Sequence, residues 1–169
     1  MRHILSILVE NQSGVLSRVT GLFSRRGFNI DSLSVGVTED PKLSRITIVT
    51  EGDNRVVNQI SKQLEKLIDV IKVVELLPDE SVYRELALIK VAATAEHRSE
   101  VVSIVEIFRA NIIDVSNDTI TAEITGDQRK IQAFTELMGT YGIKEIVRTG
   151  LTGLQRGTNS LKEYNIMED

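Results

Sequence analysis

The sequence predicts an α+β protein made of two ferredoxin-like (βαββαβ) domains in tandem. One observation is that segments with alternating apolar residues and segments with apolar residues every three or four positions follow one another in the order β-α-β-β-α-β. The other is that this order occurs twice along the 169 residues, which indicates a duplication. Units of this order form a four-stranded antiparallel sheet with both helices on one face.

The first copy contains four predicted strands and two predicted helices. Alternation identifies the strands, as in the run from Leu33 to Val37, and an apolar stripe identifies each helix. Arg25 and Arg26 suit the C-terminal end of the first helix, and Gly27 stops it. The predicted strands are 3–10, 33–37, 43–51 and 69–76, and the predicted inward residues are Val15, Leu16, Val19, Leu22 and Phe23 in the first helix and Val56, Val57, Ile60, Leu64 and Leu67 in the second.

The second copy repeats the same order of elements. The segment 120–127 echoes 46–53, and Ile107-Phe108 echoes Leu22-Phe23. A turn at Asn117-Asp118 separates its two middle strands. The predicted strands are 83–92, 112–115, 119–125 and 143–149, and the predicted inward residues are Val101, Ile104, Val105 and Phe108 in a helix that ends near Asn111 and Ile131, Phe134 and Leu137 in a helix over 127–138.

These elements predict the domain boundaries. We expect one domain at 1–77 and a second at 83–150, joined by a linker at 78–82 that begins with Pro78. The segment 151–169 is rich in glycine, polar and charged residues and has no period. We therefore expect it to be a flexible tail, or to dock on a partner.

Composition limits the classes of function. The hydrophobic share of 41% and the charged share of 26% fit a globular protein. The absence of cysteine excludes disulfides, thiolate nucleophiles and sulfur-ligated metals. A formal net charge of −4 provides no overall basic field for nucleic acid. The chain starts with strand-like residues rather than a signal or transit segment and has no run that could cross a bilayer, so we expect a cytoplasmic protein without a membrane partner.

The junction after the first predicted strand has the features of a receptor for a small zwitterion. Asn11 ends the strand, and Gly14 opens the helix without a side chain, so backbone N–H groups at the positive helix N-terminus lie open to a carboxylate. Asn29, at the start of the next strand, offers both a donor and an acceptor. These residues could hold a free amino acid by its charged ends. Junctions of this composition also occur wherever a helix is capped, and the spacing alone leaves that simpler interpretation open.

The second copy does not repeat this junction. Its corresponding segment, 93–98, contains no Asn-x-x-Gly, so ligand binding is expected in the first copy only. Exposed sheet edges invite pairing with a second chain. We therefore expect a homodimer whose interface completes the site, with Asn11 and Gly14 from one chain and Asn29 and Ile30 from its mate.

No group of residues in the sequence is typical of catalysis or of a metal site. His3 and His97 have no second histidine at metal spacing, and we expect both at the surface. The carboxylates fall on polar helix faces or in turns and accompany no nucleophile–base pair. We therefore expect no catalytic residues, no metal ligands and no cofactor in this chain.

Two long runs carry a resemblance to a known family. The run from Leu22 to Gly36, with Asn11-x-x-Gly14-Val15-Leu16 before it and Leu43-Ser44-Arg45 after it, resembles the small regulatory subunits of acetolactate synthase (acetohydroxyacid synthase). The run from Ile107 to Val115 resembles the second domain of that family. The likeness covers roughly residues 1–155.

The resemblance implies a regulatory role in the biosynthesis of the branched-chain amino acids valine and isoleucine. It implies an N-terminal ACT domain that binds the feedback inhibitor valine at a dimer interface, and a C-terminal ACT-like domain. It also implies a large catalytic subunit as partner, which would carry thiamine diphosphate, magnesium and FAD and would be activated by this chain. The positions that match the family's ligand-binding set are Asn11, Gly14, Val15, Leu16, Asn29 and Ile30.

Other interpretations lead to different expectations. Arg25 and Arg26, together with Arg45, could meet acidic groups of the catalytic subunit, although the first two also suit a helix C-terminus. A free-standing ACT protein that senses an amino acid and regulates another enzyme or transcription is the main alternative, and a transcriptional regulator would need a DNA-reading helix. A small enzyme on this scaffold would need convergent titratable groups in a cleft. Neither feature is visible in the sequence.

Overall fold

The computed structural model describes residues 1–161 and divides the chain into two compact units. The first unit comprises residues 1–82 together with residues 151–161, and the second comprises residues 83–150. Each unit contains a four-stranded antiparallel core sheet and two helices. The predicted α+β class and the ferredoxin-like order of elements are confirmed.

The first unit has the sheet order β2-β3-β1-β4, with β2 and β4 at the edges. Its central pair, β1 and β3, runs antiparallel in a register that places Ile7 opposite Ile46. A single 3₁₀ turn, Pro78–Glu80, follows the last strand of this sheet and is the first part of the predicted linker. The elements are β1 (Arg2–Glu10), α1 (Val15–Arg25), β2 (Ser32–Val37), β3 (Leu43–Glu51), α2 (Asn54–Leu64) and β4 (Val70–Glu75).

The core of the first unit lies between this sheet and its two helices. Val19 and Phe23 of α1 and Ile60 and Leu64 of α2 are buried against the apolar residues of β1 and β3. Leu16, which the sequence pattern assigns to the inward face, is instead 40% exposed. The reason is that Val15, Val19 and Phe23 already form the buried stripe with a spacing of four, and Leu16 lies to one side of it.

The segment after residue 150 returns to the first unit, which corrects the expectation of a flexible tail as far as residue 161. The Leu151 N–H donates to Ser32 Oγ at 2.8 Å, and Ser34 Oγ donates to the Leu151 carbonyl at 3.1 Å. Leu151 and Leu161 are buried. A further strand, β9 (Thr152–Gln155), pairs with β5 (Ser81–Ala92), whose first two residues belong to this unit. The remainder of the predicted tail, 162–169, lies outside the described residues.

The second unit has the sheet order β6-β7-β5-β8. Its first strand begins at Ser81, inside the predicted linker, and is longer than the sequence pattern indicates. The turn between β6 and β7 lies at Asn117-Asp118 as predicted, closed by the Ser116 N–H, which donates to the Thr119 carbonyl. The elements are β5 (Ser81–Ala92), α3 (Arg98–Ile107), β6 (Asn111–Val115), β7 (Thr119–Gly126), α4 (Gln128–Gly139) and β8 (Ile143–Arg148).

The core of the second unit differs from its prediction at one helix position. Ile131 and Phe134 are buried as expected, but Leu137 is 44% exposed and Met138 is buried instead. Ile131, Phe134 and Met138 are spaced by three and four residues and so share one face of the helix, whereas Leu137 lies beside it. The helix pattern was right, and the last inward residue was wrong by one position.

The two units show the predicted duplication at their helix caps. Asp53 caps α2 by accepting from Val56 N–H, and Asp127 caps α4 by accepting from Lys130 N–H. The proposed echo of Leu22-Phe23 in Ile107-Phe108 is wrong by three residues. Phe28 N–H donates to the Phe23 carbonyl, and in the equivalent bond Ala110 N–H donates to the Val105 carbonyl, so Phe23 corresponds to Val105.

His3 is not the surface residue that the sequence suggests. It is buried in β1, where its Nε2 contacts the Gly52 carbonyl at 3.2 Å and its Nδ1 lies 2.6 Å from Glu75 Oε1. Both ring nitrogens are therefore engaged in holding the sheet together. Within residues 1–161 there is no cluster of three or more histidine, aspartate or glutamate side chains that could hold a metal ion. In the same residues, no helix has the length and apolar character needed to cross a membrane.

Candidate amino-acid site at the first strand–helix junction

The junction between β1 and α1 presents open backbone amides. Gly14 is the N-cap residue of α1, with φ of +86°, and no side chain caps the helix. Within the described chain, the N–H groups of Leu16 and Ser17 donate to no backbone carbonyl. The first amides of a helix lack intrahelical partners and carry the positive end of the helix dipole. The junction therefore offers donors for a carboxylate, and the binding of a carboxylate there stays a prediction.

The conformation of Gly14 explains why glycine occupies this position. A φ of +86° lies in the left-handed region, which side chains other than glycine rarely adopt. A side chain here would also crowd the Arg18 guanidinium, because a Cβ atom added to Gly14 would lie 3.1 Å from Arg18 Nη1.

Asn11 links this junction to the turn between β2 and β3. Its backbone N–H donates to the Lys42 carbonyl at 2.7 Å, and its Nδ2 donates to the Pro41 carbonyl at 3.0 Å. Asn11 Oδ1 makes no hydrogen bond within the described residues. The side chain is thus held in place by its amide nitrogen while its oxygen can accept from an ammonium group.

Arg18, which the sequence analysis did not single out, lies directly beside this junction. Its Nε donates to Asp69 Oδ2 at 2.7 Å, and its Nη2 lies 2.5 Å from the same oxygen. The Asp69 side chain is buried, and the Asp69 carbonyl accepts from Glu10 N–H at the end of β1. The signal that could have found Arg18 is its position one helical turn after Gly14, which places the two residues on one face.

Asn29 and Ile30 lie at the other end of the sheet. Thr50 Oγ1, near the end of β3, donates to the Asn29 carbonyl at 2.7 Å, while Asn29 Nδ2 donates to Asp31 Oδ1. Asn11, by contrast, lies where β3 begins. One chain therefore brings Asn11, Gly14, Val15 and Leu16 together and does not bring Asn29 and Ile30 to them.

The second unit fills the equivalent junction with one of its own side chains. Arg98 Nη2 donates to the carbonyls of Ala93, Ser116 and Asn117 at 3.3, 2.8 and 2.5 Å. The backbone bond from Ala93 N–H to the Asp118 carbonyl is equivalent to the bond from Asn11 N–H to the Lys42 carbonyl. The bond from Arg98 to the Asn117 carbonyl therefore corresponds to the bond from the Asn11 side chain to the Pro41 carbonyl. This supports the expectation that only the first unit has an open junction.

The three arginines considered for partner contact have different surroundings. Arg25 is exposed, and its Nε donates to the Gly21 carbonyl. Arg45 is half-buried in β3 and donates from Nε to Ser6 Oγ at 2.7 Å; burial lowers the pKa of its guanidinium, and the Glu39 carboxylate raises it by a smaller amount. Arg26 is exposed and lines a cavity of about 180 Å³ between α1 and α2, together with Leu22, Phe28, Gln59, Ile60 and Gln63. Partner contact by these arginines stays a prediction.

Comparison with known proteins identifies relatives over nearly the whole chain. Residues 5–72 match the family model of the ACT domain of acetohydroxyacid synthase small subunits, and residues 84–157 match that of the small subunit of acetolactate synthase. A probable acetolactate synthase small subunit of Archaeoglobus fulgidus is 57% identical over 157 residues, which cover 93% of this chain and 98% of the relative. The acetolactate synthase small subunit of Bacillus subtilis is 49% identical over 167 residues, 98% of this chain and 96% of the relative.

A solved structure agrees with these matches. The crystal structure of an acetolactate synthase small subunit from Thermotoga maritima superposes with a TM-score of 0.86 at 45% sequence identity. The superposition covers 94% of this chain and 99% of that one.

Proposed function

The chain belongs to the family of acetolactate synthase small subunits, and from this premise we propose that it binds and activates the catalytic subunit and confers feedback inhibition by valine. The observation that carries the proposal is the open junction of Gly14, Leu16 and Ser17, found in the domain that matches the family's ACT model. In this proposal the chain performs no chemistry itself. The catalytic subunit carries thiamine diphosphate, magnesium and FAD, and the complex works in the cytoplasm.

Each charged end of valine has a partner in this site. The carboxylate lies at the open amides of Gly14, Leu16 and Ser17, where the helix dipole stabilises negative charge, while the Val15 N–H between them donates to the Gln12 carbonyl at 3.5 Å. The ammonium group meets Asn11 Oδ1 and an oxygen of Asn29. Ile30 and neighbouring aliphatic side chains surround the branched side chain. Because an apolar pocket distinguishes one methylene by only about 1–3 kcal/mol, valine is preferred over leucine and isoleucine rather than selected absolutely.

A homodimer through β2 brings the two halves of the site together. β2 is an edge strand, and its Val35 and Val37 are 48% and 60% exposed. When two copies of an edge strand pair antiparallel about a two-fold axis, the start of one lies beside the end of the other. The start of β2 follows Asn29 and Ile30, and its end precedes the turn that holds Asn11. Asn11 and Gly14 of one chain thereby meet Asn29 and Ile30 of its mate.

Valine regulates the complex by binding its two arrangements with different affinities. A ligand shifts an equilibrium only through this difference, and allosteric couplings are typically about 1–3 kcal/mol. Linkage is reciprocal, so the catalytic subunit changes the affinity for valine by the same factor as valine changes the affinity for the catalytic subunit. Arg25, Arg26 and Arg45 are candidates for contact with acidic groups of that subunit.

Calorimetric titration tests the proposal. The purified chain, alone and with its catalytic subunit, is titrated with valine, with leucine and with lysine as an unrelated amino acid. We expect saturable binding of valine, weaker binding of leucine and no binding of lysine. Equal binding of all three, or no valine binding even in the presence of the catalytic subunit, would refute the proposed receptor.

A further inference from the structure

The guanidinium of Arg18 is fixed beside the open amides of the α1 N-terminus. Side chains on a helix point back towards its N-terminus, so a residue four positions after Gly14 lies above it. The Arg18 N–H donates to the Gly14 carbonyl at 3.1 Å, which places the two residues in successive turns of the helix. Because Gly14 has no Cβ, the guanidinium can approach the junction closely, and Nη1 lies 3.1 Å from where that Cβ would be.

Asp69 holds this guanidinium in one orientation. Nε and Nη2 of Arg18 both face Asp69 Oδ2, at 2.7 and 2.5 Å. The planar guanidinium carries its donors in a rigid fork, so fixing Nε and Nη2 also fixes the direction of Nη1. Nη1 makes no hydrogen bond to the described residues. The arrangement leaves a charged donor directed towards Gly14.

We propose that Arg18 donates from Nη1 to the carboxylate of the bound amino acid and that Asp69 is the positioning residue that orients it. This inference rests on the proposed function and adds to it a residue that determines specificity for a free carboxylate. Backbone amide N–H groups donate to any oxygen that can accept a hydrogen bond, whereas a guanidinium strengthens the bond chiefly when the oxygen is charged. Arg18 therefore makes the site discriminate an amino acid from its uncharged amide.

The discrimination against valinamide tests this role. Valinamide keeps the ammonium group and the isopropyl side chain of valine but has no negative charge. Dissociation constants of valine and valinamide are measured by calorimetry for the wild type, Arg18→Ala and Arg18→Lys. Arg55→Ala, on the exposed side of α2, removes the same charge elsewhere and serves as the matched control.

The expected result is a loss of selectivity. Charge-assisted hydrogen bonds are roughly twice as strong as neutral ones, so Arg18→Ala should reduce the preference for valine over valinamide by about tenfold. Arg18→Lys keeps the charge without the fork and should lie between Arg18→Ala and the wild type, while Arg55→Ala should match the wild type.

A role for Arg18 in stability alone predicts a different pattern. In that case Arg18→Ala would weaken valine and valinamide by the same factor, and the unchanged ratio would overturn the inference. Circular dichroism shows whether Arg18→Ala folds. If it does not, Arg18→Lys provides the test, because an unchanged preference for valine over valinamide in that variant would contradict the role of the guanidinium. A wild-type chain that binds no valine, either alone or with its catalytic subunit, would instead overturn the proposed function, and this inference with it.

Discussion

Asn11 and Asn29 lie at opposite ends of the same four-stranded sheet. The Asn11 N–H bonds to the Lys42 carbonyl where β3 begins, and the Asn29 carbonyl accepts from Thr50 near the end of β3. Between those ends run the nine residues of β3, which span about 26 Å at the usual rise of a strand. A single amino acid cannot bridge that distance. If both asparagines contact one ligand, they belong to two chains.

Complementation between two damaged chains tests this shared site. Asn11→Ala and Asn29→Ala should each weaken valine binding strongly as homodimers. After the two variants are mixed and allowed to exchange subunits, one site of each mixed dimer contains both native asparagines. Random exchange should restore tight binding at about one quarter of all sites, because each two-fold interface carries two equivalent sites. Titration of the mixture gives this fraction, and no recovery despite proven exchange would contradict the shared site.

Charge on the edge strand should separate the dimer. Val35→Lys and Val37→Lys together place two positive charges at an interface that we propose to be apolar, and edge lysines oppose strand pairing. The expected result is a shift from dimer to monomer in sedimentation velocity, accompanied by weaker valine binding. Ile68→Lys is the matched control, because Ile68 is 93% exposed and lies outside the sheet. A dimer that persists in the double variant would place the interface elsewhere.

The charge introduced by Gly14→Asp should abolish the response to valine while the fold is kept. An aspartate at this position places a carboxylate in front of the α1 amides, where the carboxylate of valine would lie. Gly14→Asn is the matched control, since asparagine has nearly the same shape and also tolerates positive φ. We expect Gly14→Asn to retain more valine binding than Gly14→Asp in calorimetric titration. Equal losses would mean that bulk or strain, rather than charge, closes the site.

Each of the two equivalent N-caps should slow hydrogen exchange at the start of its own helix and not in the other unit. Asp53→Ala removes the acceptor for Val56 N–H, and Asp127→Ala removes the acceptor for Lys130 N–H. An N-cap of this kind contributes about 1 kcal/mol, in a range of about 0.5–2 kcal/mol. Hydrogen exchange should accelerate at the start of α2 in the first variant and at the start of α4 in the second. Replacement of either aspartate by asparagine should keep most of the protection against exchange. Faster exchange in both α2 and α4 of a single variant would contradict separate effects of the two caps.

Tyr141 should titrate above the usual range of a tyrosine. Its hydroxyl donates to Glu100 Oε2 at 2.8 Å, and this bond, followed by desolvation and by the negative charge of Glu100, raises the pKa of the phenol. A raised pKa means that folding favours the protonated phenol. Its contribution to stability is complete below the ordinary tyrosine pKa of about 10 and is lost as pH rises through the higher native pKa.

The difference in phenolate absorbance between the wild type and Tyr141→Phe isolates this titration. Its midpoint should lie above the ordinary value and should fall when Glu100 is replaced by alanine. A midpoint at the ordinary value in the wild type would show that the bond to Glu100 does not persist in solution.

Local patterns in the sequence predict most of the fold. The buried stripe of Val15, Val19 and Phe23 is a property of neighbouring residues, and the structure confirms it. The strand predicted from the alternation of β2 is also present, but burial does not alternate along it, since Ser32 to Ser34 are half-buried and Val35 to Val37 are exposed. The inward position given to Leu137 instead of Met138 shows the limit of this reasoning, because two adjacent apolar residues fit a helical period almost equally well.

Contacts between residues distant in sequence account for the other differences. His3 is buried because Glu75 and Gly52, far along the chain, supply its partners. Leu151 begins an ordered segment because Ser32 and Ser34 bond to its backbone. The periodicity of apolar residues along the sequence gives no information about such long-range pairings. Arg18 was missed for a similar reason, since its orientation depends on Asp69 across the unit.

The return of residues 151–161 to the first unit has a consequence for the time course of synthesis. The first unit consists of two segments, and all of residues 83–150 is made between them. At about 5–20 residues per second, the ribosome takes several seconds to traverse that stretch. During this interval the nascent sheet lacks the bonds that Ser32 and Ser34 later make to Leu151. The domain that begins first is therefore the one completed last, and a chain released early would carry a finished second unit beside an unfinished first one.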